Sequence, residues 1–232
     1  MNLGNEFKNY AINHMGISSL DFFNWEQLQM DIYGPKASLT PYILEEREMR
    51  VTQMDIFSRM MMDRILWLAG PVNDRMSTVV QAQLMFLDNL EVKDITLHVD
   101  SPGGSVKSGL SIVDVMDYIS SDCITVNTGM AASMGSILLG AGTKGKRASL
   151  KSSRVMLHQV STGASGNIQD IRRSIAEGEK YNTLLFEMLG RYTDKDPKQV
   201  MEDANRDLWL SSSEALEYGI IDKVIDKKPK KK

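Results

Sequence analysis

Cysteine is almost absent from the 232-residue chain, which contains only Cys123. A single cysteine cannot form a disulfide within the chain, and it excludes a zinc site built from several cysteines. The sequence also lacks an apolar run near the ~18 residues that a membrane-spanning helix needs. Its first residues include Glu6 and Asp21 and lack the uninterrupted apolar stretch of a secretory signal. We therefore expect a cytoplasmic protein with no membrane partner.

An excess of positive charge is also missing from most of the chain. Lys and Arg total 27 and Asp and Glu total 30, which gives a formal net charge of -3. Five of the lysines lie in residues 227–232, and without them 22 basic residues stand against 30 acidic ones, a balance of -8. A nucleic-acid-binding domain usually carries a basic face, so we expect no nucleic-acid partner. The lysine run itself is typical of a disordered, solvated tail.

Gly34 and Pro35 mark a boundary, because this pair commonly breaks regular structure. Residues 1–37 are therefore set apart, either as an N-terminal helix packed on the body or as a removable leader or mobile arm. From residue 38 to residue 226 the apolar pattern alternates between strand-like and helix-like segments. This order predicts a single α/β domain of stacked units, followed by the tail at 227–232.

The individual segments follow the two periodicities of regular structure. The predicted strands are Ile65–Gly70, Asp94–Asp100, Cys123–Val126, Val155–His158 and Ile220–Ile225. The predicted helices are Asp55–Arg64, Ser77–Asn89, Val106–Ile119 and Asn167–Tyr192, with a small-residue turn and helix over Gly129–Gly142. A last helix begins after Ser211, because Glu214 completes a capping box with it and Gly219 can end it.

Ser133 is the first candidate for chemistry. It lies among small residues in the segment Gly129–Gly135, where a helix is predicted to begin. The N-terminus of a helix stabilises negative charge, which suits a nucleophilic serine. The alternative is that Ser133 only caps the helix in a tightly packed turn.

A diglycine turn follows the strand that contains His98. In Ser101–Ser105, Gly103 and Gly104 can adopt backbone conformations that turn their N–H groups toward an anion. Such a turn could form an oxyanion hole or a phosphate cradle, or it could simply connect a strand to a helix. The two common phosphate-loop patterns are absent.

Histidine-dependent chemistry has three candidates, His14, His98 and His158. His14 lies in the separable N-terminal segment, and His98 alternates with core-like residues and fits the outer face of a strand. His158 ends a strand before a loop, a common position for a catalytic base, although a structural role is also open. An acidic residue would be needed behind it. With 30 acidic residues present, spacing does not select Asp207.

Together these segments closely resemble the proteolytic subunits of the Clp protease family. The resemblance covers Leu39 to Val224 in unbroken order. The matching motifs are Asp55–Arg59, Ser101–Gly104, Met130–Gly135, Gly142–Arg147, Ser153–Gln159, Arg206–Asp207, Leu210–Ser211 and Glu217–Gly219.

The resemblance implies a ClpP/crotonase-like α/β fold of repeated β-β-α units with a protruding handle helix, and the activity of a serine endopeptidase that needs no cofactor or metal. It implies that Ser133 is the nucleophile, His158 the general base and Asp207 the residue that orients His158. The backbone N–H groups of Gly104 and Met134 would form the oxyanion hole. The residues that would bind an extended substrate strand are Ser105, Val106 and Gly163.

The resemblance also implies partners. Such subunits form two stacked heptameric rings, a homo-oligomer of 14 subunits, with Asn167–Tyr192 as the helix between rings. A hexameric Clp ATPase of the ClpX, ClpA or ClpC type would deliver unfolded polypeptides. Residues 1–37 would be a propeptide, since Leu39–Leu44 resembles the start of mature relatives.

Two residues depart from the family pattern. Asn205 stands where many relatives have an acidic residue before the Arg-Asp pair, and His98 occupies a position that is often aromatic and borders the ATPase docking pocket. Two other functions remain open. One is an acyl-CoA enzyme of the same fold, and the other is an inactive subunit that only completes a mixed ring.

Overall fold

The computed structural model describes residues 42–47, 50–161, 163 and 165–227, with side-chain surroundings from Asp55 onward. The predictions for residues 1–37 and for most of the tail at 227–232 therefore lie outside the described residues. The chain divides into two compact units, with the boundary between Ile56 and Phe57. The predicted division at residues 37 and 38 stays a prediction.

Nine strands occur in the described part of the chain. Their bounds are β1 Tyr42–Arg47, β2 Arg50–Asp55, β3 Ile65–Ala69, β4 Ile95–Ser101, β5 Cys123–Ala132, β6 Arg147–Leu150, β7 Arg154–Leu157, β8 Leu208–Ser211 and β9 Lys223–Ile225. β1 and β2 form an antiparallel pair in the first unit. The sequence pattern did not predict this pair.

Seven helices occur in the same described residues. Their bounds are α1 Ile56–Met62, α2 Asp74–Leu90, α3 Val106–Tyr118, α4 Met134–Gly140, α5 Ile168–Thr193, α6 Pro197–Asp203 and α7 Ser212–Tyr218. None of them is both long enough and apolar enough to cross a bilayer.

The central sheet has the order β3-β4-β5-β6-β9. β7 pairs with the C-terminal end of β5 and also with β8. All of these pairs are parallel except β7 with β8. Parallel pairs need crossover connections, and helices supply most of them here. The α/β class that was predicted from the alternation of segments is confirmed.

Helix α2 shows how the sequence determines one of these elements. The Asn73 side chain accepts a hydrogen bond from the Met76 N–H and so caps the helix. Ser77, Val80, Leu84 and Leu87 are buried at helical spacing. Their face packs into the core between the helices and the sheet.

Strand β5 corrects the sequence interpretation. The strand was predicted to end near Val126, but it continues to Ala132. The continuation pairs on two sides, since Ala131 lies opposite both Ser101 of β4 and Val155 of β7. Pairing with two neighbours outweighs the low strand propensity of this small-residue segment. The turn before α4 is consequently reduced to Ser133 alone.

Helix α5 matches the predicted handle helix. Its N-cap is Asn167, and no residue before Leu185 is buried in it. The part from Leu185 onward packs into the core, and Leu189 and Phe186 are among its buried side chains. The first half of α5 therefore exposes its surface, including Ile168 and Ile175.

Candidate active site

Strand register brings Ser133, His158 and Asp207 to one edge of the sheet. Ser133 follows the last residue of β5, and His158 follows the last residue of β7. These two strands are parallel, with Ala132 opposite Met156, so their carboxyl ends meet. β8 runs antiparallel to β7, with Leu208 opposite Leu157. Asp207 precedes Leu208 and therefore lies beside His158.

Ser133 has an unusual backbone conformation for a residue that is not glycine. Its φ is 54° and its ψ is -123°, and its side chain makes no capping hydrogen bond to α4. Left-handed backbone costs about 1–3 kcal/mol and persists where the surroundings impose it, commonly at functional sites. The main chain is held on both sides, because the Ser133 N–H donates to the Met156 carbonyl at 2.9 Å and its carbonyl accepts the Ser136 hydroxyl at 2.6 Å. Ser133 therefore occupies the N-cap position of α4, as the alternative interpretation predicted, but its side chain does not cap the helix.

The diglycine turn lies directly against Ser133. Gly103 has a φ of 93°, and a Cβ atom on it would stand 2.6 Å from the Ser133 Cβ and 2.9 Å from the Met134 nitrogen. Only glycine fits this approach without displacement. The turn is fixed to the segment after β3, since the Val72 N–H donates to the Gly103 carbonyl and the Ser105 N–H donates to the Val72 carbonyl, each at 2.8 Å.

The two N–H groups predicted to bind an oxyanion are placed consistently with that role. Val72 and Gly104 form a parallel bridge whose two hydrogen bonds use the Gly103 carbonyl and the Ser105 N–H. The N–H of Gly104 itself is therefore outside the bridge. Met134 is the first residue of α4, where N–H groups have no partner within the helix. Gly104 and Met134 both line the same cavity as Ser133.

His158 and Asp207 approach each other without a short contact. Their Nδ1 and Oδ1 atoms are 3.5 Å apart, and the side chains are 24% and 61% exposed, respectively. A strong N–H···O hydrogen bond is nearer 2.9 Å. Catalytic contacts are often longer without substrate and shorten in the reacting complex. Asp207 is thus the carboxylate that lies next to His158 along the strand register.

A cavity of about 250 Å³ joins Ser133 to His158. No hydrogen bond links their side chains within the described residues, yet both line this space. Its walls combine polar and apolar surface, and the lining residues are Gly104, Val106, Ser133, Met134, Ser136, Ile137, His158, Gln159, Val160, Ser161, Leu185, Phe186 and Leu189. The apolar part of the wall can accept an apolar side chain in the same space that the serine and the histidine line.

The three residues predicted to bind a substrate strand have different positions. Val106 lines the cavity, whereas Ser105 caps α3, where its side chain accepts the Ser108 N–H. The Ser105 N–H is already donated to Val72, so it is not available to a peptide. Gly163 has open space where a Cβ would lie and is not among the residues that line the cavity. Substrate binding by Ser105 and Gly163 stays a prediction.

Sequence reasoning did not identify two features near the site. Gly103 was considered only as part of the diglycine turn, and its close approach to the Ser133 Cβ was not predicted. Asn182 of α5 accepts the Val160 N–H at 2.9 Å, and nothing in the helical pattern distinguishes it. Among the described residues, no group of three or more His, Cys, Asp or Glu side chains is arranged to hold a metal ion.

Comparison with known proteins identifies the family of the chain. The Clp protease family profile matches residues 46–228. The chain belongs to the Clp protease family. That membership makes it a serine peptidase, and the fold and function predicted from the sequence are confirmed.

Relatives named ATP-dependent Clp protease proteolytic subunit align over most of the chain. The protein from Porphyromonas gingivalis W83 is 44% identical over 227 residues, which cover 97% of this chain and 100% of the relative. A protein from Bacteroides fragilis YCH46 is 45% identical over 224 residues, 96% of this chain and 99% of the relative. Another, from Bacteroides fragilis NCTC 9343, is 49% identical over 191 residues, 82% of this chain and 92% of the relative.

Proposed function

We propose that Ser133, His158 and Asp207 form the catalytic triad of this peptidase. The observation that carries the proposal is that Ser133 has a strained backbone and no capping hydrogen bond, and lines the same cavity as His158. His158 removes the hydroxyl proton as Ser133 attacks the peptide carbonyl, and it then protonates the leaving amine. Asp207 orients the imidazole and stabilises its charged form.

The oxyanion of the tetrahedral intermediate is stabilised by the N–H groups of Gly104 and Met134. One N–H lies outside the Val72 bridge and the other begins α4, so both can donate. Loss of one such donor typically costs about 2.7–4 kcal/mol of transition-state stabilisation. A water molecule activated by His158 then hydrolyses the acyl-enzyme, which returns Ser133 to its starting state.

The substrate is an extended, unfolded polypeptide. Cleavage at Ser133 requires the scissile carbonyl to reach the cavity beside the diglycine turn, which a folded surface cannot do easily. Val106 would contact the side chain next to the scissile bond, and Gly163 and Ser105 would border the bound strand. The acidic body of the chain gives no reason to expect a nucleic-acid substrate.

The active form is a tetradecamer of two stacked heptameric rings. The exposed half of α5 supports this proposal, because Ile168 is 69% exposed and Ile175 and Leu184 are also exposed along it. Apolar side chains on an otherwise solvated helix commonly mark an interface. We assign this surface to contacts between the two rings.

A hexameric Clp ATPase of the ClpX, ClpA or ClpC type docks beside β3 and delivers the substrate. An open cavity of about 470 Å³ there is lined by apolar side chains that include Phe57, Trp67 and Val79. Trp67 stacks on His98, with ring centroids 4.7 Å apart. Burial lowers the pKa of His98, so its imidazole is neutral near pH 7 and suits an apolar docking segment.

The protein acts in the cytoplasm and is made as a zymogen. Residues 1–37 are the propeptide and are removed before the chain becomes active. Intact mass spectrometry of active protein tests this directly, because the proposal predicts a mass that lacks the N-terminal segment. Active protein that retains Met1 would contradict it.

Hydrolysis of a short fluorogenic peptide tests the proposed function as a whole. The purified chain is expected to hydrolyse the peptide, and Ser133→Ala is expected to abolish the activity while leaving the oligomer size unchanged. Ser152→Ala is the matched control, because Ser152 is an exposed serine in the turn between β6 and β7. If the wild-type chain assembles but shows no hydrolysis, the inactive-subunit alternative is correct.

A further inference from the structure

The two residues that follow His158 are each held by a side-chain amide. The Val160 N–H donates to Asn182 Oδ1 at 2.9 Å. The Gln159 side chain donates from Nε2 to Asn205 Oδ1 at 3.0 Å. Asn182 lies on α5, and Asn205 lies two residues before Asp207. The His158 segment is therefore fixed to two separate elements immediately after β7 ends.

These contacts matter because the strand ladder no longer holds His158. β7 ends at Leu157, whose partner is Leu208. His158 is thus held on its N-terminal side by the strand pairing of β7. On its C-terminal side it is held by the hydrogen bonds of Gln159 and Val160. Of these two, Gln159 is exposed, whereas Val160 is partly buried and packs against the core. The hydrogen bond to the Val160 main chain is accordingly the firmer anchor.

Asn182 adjoins the packed part of α5. It lies three residues before Leu185, where α5 enters the core, and Leu185, Phe186 and Leu189 line the same cavity as Ser133 and His158. Segments with many buried contacts open locally less often than exposed ones, so the helix backbone near Asn182 is held by the packing that begins at Leu185. The hydrogen bond from the Val160 N–H to Asn182 therefore attaches the chain just after His158 to α5.

We propose that Asn182 is a positioning residue for catalysis, which holds the His158 imidazole in line with Ser133 by accepting the Val160 N–H. The proposal rests on the proposed roles of Ser133 and His158. The acceptor is the side-chain amide oxygen of Asn182, and the role needs only an acceptor oxygen at this position. General-base catalysis depends on hydrogen-bond geometry, and a small displacement of the base slows proton transfer.

The test compares two substitutions at Asn182 in the full, assembled protein. Asn182→Leu keeps a similar size but removes the acceptor, whereas Asn182→Asp keeps an acceptor oxygen. Thr183→Val is the matched control, because Thr183 is exposed on the next position of α5 and its hydroxyl donates only to the Glu179 carbonyl. Each variant is assayed for hydrolysis of a short fluorogenic peptide and for the rate of acylation by a fluorophosphonate.

We expect Asn182→Leu to lower kcat and the acylation rate about tenfold, which corresponds to the net contribution of one hydrogen bond. KM should change by less than about twofold, because Asn182 is not among the residues that line the cavity of Ser133 and His158. Asn182→Asp should recover most of the loss, and Thr183→Val should match the wild type. A merely structural role would lower thermal stability in both Asn182 variants without this division between kcat and KM.

The proposal is overturned if Asn182→Leu raises KM with kcat unchanged, if Asn182→Asp recovers nothing, or if Thr183→Val loses as much activity. Hydrogen exchange of peptides that contain Val160 gives an independent readout. Hydrogen exchange at Val160 should be faster in Asn182→Leu than in wild type. Equal exchange rates would show that Asn182 does not hold the Val160 N–H. A wild-type chain that is not acylated at Ser133 would refute the proposed function, while the exchange measurement would still decide whether Asn182 holds Val160.

Discussion

Gly103 and Ser133 are packed so closely that a Cβ on Gly103 would stand 2.6 Å from the Ser133 Cβ. The same methyl group would stand 2.8 Å from the Ala132 carbonyl oxygen. Neither neighbour is the end of a flexible side chain, so the backbone itself would have to move. The contact links the strained serine to the turn that presents the Gly104 N–H. The proposed nucleophile and the proposed oxyanion hole are therefore one packed unit.

Gly103→Ala is expected to displace Ser133 and lower turnover by at least about 100-fold, because a shift near 1 Å at a catalytic group has this effect. Overpacking should also lower the free energy of unfolding by about 1–3 kcal/mol. Peptide hydrolysis and urea denaturation measure the two effects.

Gly145→Ala is the control for Gly103→Ala. The φ of Gly145 is +87°, close to the +93° of Gly103, but nothing lies within 4 Å of its Cβ position. This variant carries the backbone strain without the collision, so it should lose some stability and keep its turnover. Equal loss of turnover in both variants would show that strain, and not contact with Ser133, is responsible.

Asp207→Asn should lower turnover by roughly 10⁴-fold, because an amide in place of the carboxylate favours the wrong imidazole tautomer. Folding should be unaffected, since Asp207 is 61% exposed and its contact with His158 spans 3.5 Å. The kcat for peptide hydrolysis is the measurement. Unchanged kcat would mean that another acid orients His158.

The buried ion pair between Arg147 and Asp222 should stabilise the fold. Arg147 is 3% exposed, and its Nη2 lies 2.6 Å from Asp222 Oδ1. Asp222→Asn leaves the buried guanidinium without its counter-charge and should cost about 3 kcal/mol of unfolding free energy. Asp226→Asn is the control, because its 3.4 Å contact with Lys151 is exposed and should contribute less than about 1 kcal/mol. Urea denaturation at fixed protein concentration compares them.

Acid should remove the contribution of Asp222. Burial alone would raise the pKa of Asp222, but the Arg147 hydrogen bonds and charge, with the Gly145 N–H, hold it below the ordinary 3.8. As the pH falls, the Asp222 carboxylate is therefore protonated in the unfolded chain before it is protonated in the folded chain. Stability is present above about pH 4 and is lost as the pH falls through the folded pKa. The difference in unfolding free energy between wild type and Asp222→Asn should become smaller in this acidic range. A difference that does not change with pH would contradict the stabilising role of the Asp222 carboxylate.

Cys123 should not react in the folded protein. Burial, followed by the negative charge of Asp122 and other nearby carboxylates, raises the pKa of its thiol to about 12. The reactive thiolate is then a trace species at pH 8. Iodoacetamide should modify Cys123 only after denaturation, as measured by intact mass. Rapid modification of the native protein would show that the thiol is accessible.

Local patterns predicted most of the fold. The capping box was read from the spacing of Ser211 and Glu214, and the structure contains both of its hydrogen bonds. Helix α5 was predicted because apolar residues recur at helical spacing near both of its ends, at Ile168, Ile171 and Ile175 and again from Leu184 to Leu189. The end of β5 was missed, because Ala131 is held in the sheet by partners that are distant along the chain.

The site depends on long-range relationships that no local pattern carries. Ser133 and His158 stood out because each follows a strand, but the choice of Asp207 needed the antiparallel register of β7 and β8 or the resemblance to a family. The contact of Asn182 with Val160 joins residues 22 positions apart. Such pairs become visible only when the chain is folded.

Covalent labelling at Ser133 tests the central claim most directly. The assembled protein is incubated with a fluorophosphonate, and peptide mapping by mass spectrometry locates the adduct. We predict one adduct per chain, on Ser133, and no adduct in Ser133→Ala. Labelling that persists in Ser133→Ala, or an adduct on another serine of the wild-type chain, would contradict the account.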